Sequence, residues 1–254
     1  MKVSCVINGF IRDIDNIKNL SVFFNNINNE KLDTLTIFYS IPNKIEEDDK
    51  NLLDEEYITN LFRKEENSKL KINIKFRNYK KEEFIEYGNE LNLPHLLPHK
   101  YHTYRILSFA NGFSESASLI DNENYDFLIF TRLDTINYIL SITFRHLKNE
   151  AYIWRTIPYV SEGKSSNHAE DRFFICSVEC IEIIKSLYQS IKNLNIDEKD
   201  FSIEIIIGKQ FNNFKNINKY HISDTEININ TDYLNRYMHK TQANKYSKEF
   251  INSH

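Results

Sequence analysis

The chain has 254 residues, 41% of them hydrophobic and 13% aromatic, which is enough apolar surface to bury a core and excludes wholesale disorder. Its formal net charge is −4 and no basic stripe builds up along it, so we expect no nucleic-acid partner. No run approaches the roughly 18 apolar residues that cross a bilayer, so we expect a cytoplasmic protein without a transmembrane segment.

Strand and helix patterns alternate along the first half of the chain. Short β-rich or alternating runs predict strands at residues 3–7, 35–39 and 70–76. Apolar residues at helical spacing predict helices around residues 14–23 and 51–63. Such alternation predicts an α/β fold with a mostly parallel central sheet flanked by helices.

The second half continues the same pattern. A long helix is predicted between residues 98 and 121, and the apolar run within 125–134 fits a central strand that is buried on both faces. Further strands are predicted at 151–157 and 173–176, and further helices at 178–192 and 203–211. Because no Pro- or Ser-rich linker, repeat or low-complexity tract interrupts the chain, we expect a single domain over residues 1–254.

The end of the central strand carries two charged residues, Arg132 and Asp134. Ligands of open parallel sheets bind at the carboxyl ends of the strands, and side chains two apart on a strand share a face. A carboxylate there can hold a divalent cation, and a planar guanidinium can bind a diphosphate with two hydrogen bonds. The alternative is that the two charges only neutralise one another at the sheet edge.

The loop after the first strand contains Gly9 and Arg12. Glycine permits close backbone approach, the start of the following helix favours an anion, and Arg12 adds a positive charge. These features indicate a phosphate site. An ordinary turn with a surface arginine is the alternative.

A third polar segment, residues 161–171, runs directly into an apolar strand and contains His168, Glu170 and Asp171. Two close acids raise one another's pKa, so either carboxylate could serve as a general base. Both could instead cap a helix or face solvent.

The other candidate ligands favour structural roles. His95, His99 and His102 have spacings that suit one helix face, but Pro98 disfavours a regular helix there and with it a metal site. Trp154, on a predicted strand, favours a core position over a sugar-binding one. The cysteines Cys5, Cys176 and Cys180 lack zinc-type spacing and predict reduced thiols.

Taken in chain order, these motifs resemble those of GT-A glycosyltransferases, especially bacterial and giant-virus enzymes that act on polysaccharides or surface glycans. The resemblance rests on Gly9 with Arg12 and on the strand from Tyr125 to Asp134. It implies a Rossmann-like domain with a nucleotide-sugar-binding half at 1–135 and an acceptor-binding, catalytic half at 136–254. A viral member would reside in the host cytoplasm.

The resemblance also implies roles for individual residues. Gly9, Arg12, Arg132 and Asp134 would contact the nucleotide sugar, for example a UDP-sugar. Asp171 or Glu170 would be the catalytic base. Asp134 would hold Mn²⁺ or Mg²⁺ together with a late histidine, which is His239 or His221. Arg132 departs from the family's Asp-x-Asp motif because it replaces the first carboxylate.

The expected activity is therefore transfer of a sugar from a nucleoside diphosphate sugar to a hydroxyl group of a glycan acceptor, with inversion at the anomeric carbon. Two alternatives stay open. One is a catalytically inactive member that binds a glycan or a protein, and the other is a different nucleotide-binding α/β enzyme such as a nucleotidyltransferase.

Overall fold

The structure is a computed structural model, and it describes residues 1–27, 32–45, 52–98, 101–121, 125–136, 139–142, 151–154, 173–213, 218–221 and 227–229. The strands are β1 Lys2–Asn8, β2 Thr34–Pro42, β3 Leu70–Arg77, β4 Phe127–Arg132, β5 Ile139–Ile142, β6 Ala151–Trp154, β7 Phe173–Cys176, β8 Asn218–His221 and β9 Ile227–Ile229. The α-helices are α1 Asp15–Lys18, α2 Leu20–Ile27, α3 Glu55–Glu65, α4 Lys81–Glu90, α5 Thr103–Ala117, α6 Ile181–Lys185, α7 Leu187–Ser190 and α8 Ile203–Asn213.

The described strands form a seven-stranded sheet in the order β3-β2-β1-β4-β7-β6-β8, with β5 and β9 paired separately. Strands β1 to β4 are parallel, β7 is antiparallel to both β4 and β6, and β6 is parallel to β8. The predicted α/β fold with a mostly parallel sheet is confirmed. Only β7 runs against the direction of its neighbours in this sheet.

Helices cover both faces of the sheet, and successive residues of the central strands β1, β4 and β7 contribute to opposite cores. In β1, Val3 and Ile7 join the core with α1, α2 and α3, whereas Val6 joins the core with α4 to α8. The central strands are buried along almost their whole length, which explains why β4 reads as a continuous apolar run.

The structure corrects three predicted helices and adds one. The helix expected around residues 14–23 is divided into α1 and α2 at Asn19. The long helix begins only at Thr103, because the Pro-containing segment before it forms a bridge between Leu96 and His102. The helix expected at 178–192 is divided at Ser186, whose hydroxyl donates to the Glu182 carbonyl and competes with helical bonding. Helix α4 was not predicted.

The cysteine prediction is confirmed, because Cys5, Cys176 and Cys180 are buried free thiols. Among the described residues, every helix is too short or too polar to cross a membrane.

Candidate functional site

The candidate site lies where the strand order of the sheet reverses. Strand β1 has β2 on one side and β4 on the other, so the chain builds the sheet first in one direction and then in the opposite one. In parallel sheets, ligands bind outside the carboxyl ends of the strands at such a point. Here the last residues of the two strands, Asn8 and Arg132, are direct neighbours in the register.

Gly9 makes a tight turn directly after β1. Its φ angle is +113°, a conformation that favours glycine, and a Cβ atom added to it would meet no other atom within 4 Å. The Gly9 N–H donates to Asn8 Oδ1 over 2.7 Å, and the Tyr39 hydroxyl donates to the Gly9 carbonyl over 2.9 Å. These two hydrogen bonds hold the turn in place. The face of Gly9 on which a Cβ atom would lie stays open.

Helix α5 also holds Asn8 in place. The Asn8 Nδ2 group donates to the Phe109 carbonyl over 2.7 Å, and the side chain passes very close to Gly112. A Cβ atom at position 112 would lie 2.0 Å from Asn8 Oδ1 and 3.3 Å from an Arg77 Nη atom. Gly112 therefore allows helix α5 to approach β1 closely enough to fix the Gly9 turn.

Arg132 and Asp134 form a two-pronged ion pair at the end of β4. Arg132 Nε donates to Asp134 Oδ1 over 2.9 Å, and Nη2 donates to Oδ2 over 2.6 Å. The side chains are 24% and 18% exposed, so this pair is better shielded than a surface ion pair. The Arg132 guanidinium also lies 5.5 Å from the centre of the Phe109 ring. The two charges do project together, and in this structure they neutralise one another.

Three charged side chains act on the hydroxyl of Tyr39, which is fully buried in β2. Burial raises the pKa of Tyr39 well above its ordinary value, Asp134 raises it further, and the positive charges of Arg77 and Arg12 lower it. Arg12 is exposed to solvent, in the loop that follows Gly9. Arg77, Arg12 and Asp134 thus lie near enough to Tyr39 to act on its pKa.

The first helix does not provide the expected anion site. Helix α1 begins only at Asp15 and has four residues, and its Asp15 N–H donates to the Asp13 carboxylate over 2.9 Å. With Asp13 bound there and Asp15 in the first turn, negative charge already occupies this helix start. Positive charge at the edge comes from arginine side chains.

Other predicted site residues lie partly or wholly outside the described part of the chain. Glu170, Asp171 and His239 are outside it, and so are His168 and His99. His221 and Trp154 are described only as backbone, where they are register partners at the ends of β8 and β6. Within the described residues no group of three or more His, Cys, Asp or Glu side chains could hold a metal ion.

After residues 155–172, which are outside the described part of the chain, the next described residue lies close to the site. Strand β7 begins at Phe173, whose register partner is Thr131 in β4, next to Arg132. Because β7 is antiparallel, its first residue lies at the edge where β4 ends. The polar segment that precedes β7 in the sequence therefore leads to the candidate site.

Sequence reasoning overlooked four residues that shape this edge: Asn8, Tyr39, Arg77 and Gly112. Asn8 and Arg77 are the last residues of β1 and β3, so a polar residue at the end of an apolar run was the available signal. Gly112 gave none, because its importance depends on a contact with Asn8, more than a hundred residues away.

No family model and no curated sequence matches the chain. Similar solved structures include galactosyltransferase LgtC in complex with donor and acceptor sugar analogues, at 9% identity and TM-score 0.41, over 88% of this chain and 74% of that chain. Mouse xyloside xylosyltransferase 1 has 8% identity and TM-score 0.45, over 89% and 86%. A nucleoside-diphosphate-sugar pyrophosphorylase from Vibrio cholerae has 10% identity and TM-score 0.34, over 92% and 98%. At such low identities and TM-scores, none of them assigns a role to a residue of this chain.

Proposed function

We propose that this chain is a GT-A-type glycosyltransferase that moves a sugar from a nucleoside diphosphate sugar to a hydroxyl group of a glycan acceptor. The observation that carries the proposal is the Arg132–Asp134 pair, which lies beside the Gly9 turn where the strand order reverses. Open α/β sheets bind nucleotides in crevices of this kind.

The charges at this edge favour a diphosphate. The open side of the Gly9 turn lets phosphate oxygens approach the backbone closely, and Arg12 and Arg132 supply positive charge. A guanidinium has five N–H donors, so Arg132 can serve a phosphate as well as Asp134. During transfer, negative charge develops on the departing diphosphate, and fixed positive groups stabilise it without reorganisation.

Asp171, or less favourably Glu170, is the proposed base. In this proposal its carboxylate removes the proton of the acceptor hydroxyl, the oxygen attacks the anomeric carbon directly, and the sugar inverts. The support is the position of Phe173, which begins β7 at the same edge and follows Asp171 by two positions in the sequence.

A divalent cation, Mn²⁺ or Mg²⁺, is part of the proposal. The described residues offer it one carboxylate, Asp134, and no complete set of ligands. His239, outside the described residues, would be a second ligand, and the diphosphate itself would supply oxygens. When bound, the cation would neutralise part of the charge of the leaving diphosphate.

One set of assays tests the donor and the cation. The purified protein is incubated with UDP-, GDP- and dTDP-sugars and with glycan acceptors, in Mn²⁺ or in EDTA, while nucleotide release and melting temperature are measured. We expect one nucleotide to raise the melting temperature and its sugar to be transferred, faster with Mn²⁺ than with EDTA. A protein that no nucleotide stabilises would contradict the proposal.

Substitution of the two acids tests the base. We expect Asp171→Asn to lower the rate of transfer about 10²- to 10⁴-fold while donor binding is kept, because only the proton-transfer step is lost. Glu170→Gln is the matched control and should retain most of the activity. If Asp171→Asn transfers normally, Asp171 is not the base, and the opposite result for the two variants assigns the role to Glu170.

One observation favours a second function, a binding module without catalysis. Asp134 uses both carboxylate oxygens to pair with Arg132, in the place where a metal-binding enzyme needs free carboxylates. In that case a nucleotide or glycan raises the melting temperature, but no donor is consumed with any acceptor.

A further inference from the structure

Arg77 is a half-buried arginine at the end of the edge strand β3, on the sheet face that helix α5 covers. Its Nε atom is buried and has no hydrogen-bond partner among the described residues. Among the same residues, no carboxylate lies within ion-pair distance of its guanidinium. Burial lowers the pKa of Arg77 from its ordinary value, and the negative charge of Glu115 opposes that shift without forming an ion pair. This is a positive charge that the described protein does not neutralise directly.

The position of the guanidinium directs it toward the candidate site. Strands β3 and β1 are separated by β2, which corresponds to about 10 Å across the sheet. Arg77 spans much of this distance, because its Nη2 atom and Asn8 Oδ1 both lie near the point where a Gly112 Cβ would be, 3.3 and 2.0 Å from it. A side chain at position 112 would displace the Asn8 amide group that occupies this point.

A buried charge without a partner destabilises the folded protein, and binding of a ligand of opposite charge offsets that effect. Asp134, a described carboxylate at this edge, already makes two bonds to Arg132, and Glu115 acts on the Arg77 guanidinium only from beyond ion-pair distance. A planar guanidinium is well suited to phosphate oxygens because it offers parallel N–H donors. Among the described residues, these facts leave Arg77 free to bind an anionic ligand.

We propose that Arg77 binds a phosphate oxygen of the donor diphosphate, as a second basic anchor on the β3 side of the Gly9 turn. This inference rests on the proposed function, since the diphosphate is that of the sugar donor. Arg132 holds the diphosphate from the β4 side and Arg77 from the β3 side, with the Asn8–Gly9 turn between them. Arg77 is thus a binding residue of this site that no motif in the sequence marks.

The test compares Arg77→Met with Lys75→Met, which removes an exposed charge from the same face of the same strand, two residues earlier. Binding of inorganic pyrophosphate, UDP, GDP and dTDP is measured by calorimetry. We expect Arg77→Met to weaken binding of pyrophosphate and of the preferred nucleotide about 10- to 100-fold, as for loss of hydrogen bonds to a charged group. Lys75→Met should change affinity less than about twofold because its charge is exposed and screened.

The melting temperature of the ligand-free protein separates binding from a structural role. In Arg77→Met this melting temperature should be unchanged or higher, because the variant removes a partly buried charge that has no ion-pair partner among the described residues. A variant with a lowered melting temperature and unchanged pyrophosphate affinity would show that Arg77 only supports the fold, and would overturn the inference.

Two further outcomes keep this inference distinct from the proposed function. Glucuronate carries a carboxylate but no phosphate, so Arg77-dependent binding of glucuronate without Arg77-dependent binding of pyrophosphate overturns the phosphate assignment. A wild-type protein that binds none of the phosphates also overturns it. If pyrophosphate binding depends on Arg77 but no sugar is transferred, the anchor stands and the proposed transferase activity fails.

Discussion

The two faces of the central sheet are built from different residues. The face toward α1, α2 and α3, called here the apolar face, buries large side chains of strands and helices, including Ile7, Ile37, Ile129, Leu20 and Phe23. The face toward α5, called here the polar-lined face, includes small or polar residues such as Asn8, Ser40, Gly112 and Ser116 beside its apolar ones. On this face the Ser40 N–H donates to the Ser116 hydroxyl over 2.8 Å.

This difference separates the site from the apolar face. Both faces contribute cohesion, because burial of large apolar side chains is the main favourable term in folding. The polar-lined face lets helix α5 approach the strands closely and leaves Asn8, Arg77 and Arg132 at the carboxyl edge. Substitutions on the two faces should therefore have different consequences, and the following variants test that separation from the largest expected effect to the smallest.

Phe23→Ala should have the largest effect, on stability alone. Phe23 is fully buried on the apolar face, so we expect a loss of about 3–5 kcal/mol in the free energy of unfolding from the cavity left behind. Denaturant titration measures it, with Val22→Ala as the control on the same helix, since Val22 is 51% exposed. Pyrophosphate affinity of the folded protein should stay the same. A clear loss of affinity would break the separation.

Asp134→Asn should have the opposite effect, a loss of activity with little change in stability. We expect transfer to fall about 10²- to 10³-fold, because the carboxylate that orients Arg132 and would hold the cation is lost. The unfolding free energy should change by less than about 1 kcal/mol, as for a partly exposed ion pair. Asp126→Asn is the control at the opposite end of β4, where Asp126 accepts a bond from the Lys2 N–H. Equal rates in the two variants would remove Asp134 from the site.

Gly112→Ala should affect both properties moderately. Its Cβ would displace the Asn8 side chain, which cannot move without breaking its bonds to Gly9 and Phe109. We expect a loss of about 1–3 kcal/mol in the free energy of unfolding and weaker pyrophosphate binding. Gly88→Ala in helix α4 is the control, because its Cβ meets its nearest atom, in Thr103, at 3.3 Å. If the two variants behave alike, the close approach of α5 does not matter for the site.

The sequence predicted the framework better than the details of the site. The strands at 3–7, 35–39 and 70–76 were predicted within a few residues because the first two are short β-rich runs and the third alternates with the period of a strand. Arg132 and Asp134 do meet as expected, but β4 ends at Arg132 and Asp134 reaches it from the following turn. Both are local properties of a few neighbouring residues.

The remaining site residues depend on contacts between distant parts of the chain. Gly112 and Asn8 meet only because helix α5 packs on β1, and Arg77 reaches the site only because β3 lies on the outer side of β2. No local pattern records such contacts. The roles proposed for Glu170, Asp171 and His239 remain predictions, since these residues lie outside the described part of the chain.

The reversed direction of β7 has a consequence for the stretch between β6 and β7. Strand β6 ends at Trp154 and β7 begins at Phe173, and the two strands are paired neighbours, with Trp154 opposite Phe174. Both attachment points of the intervening residues 155–172 therefore lie side by side at the carboxyl edge. A change in the length or sequence of that stretch therefore leaves the pairing of β6 with β7 as it is, because the stretch leaves and rejoins the sheet at adjacent positions.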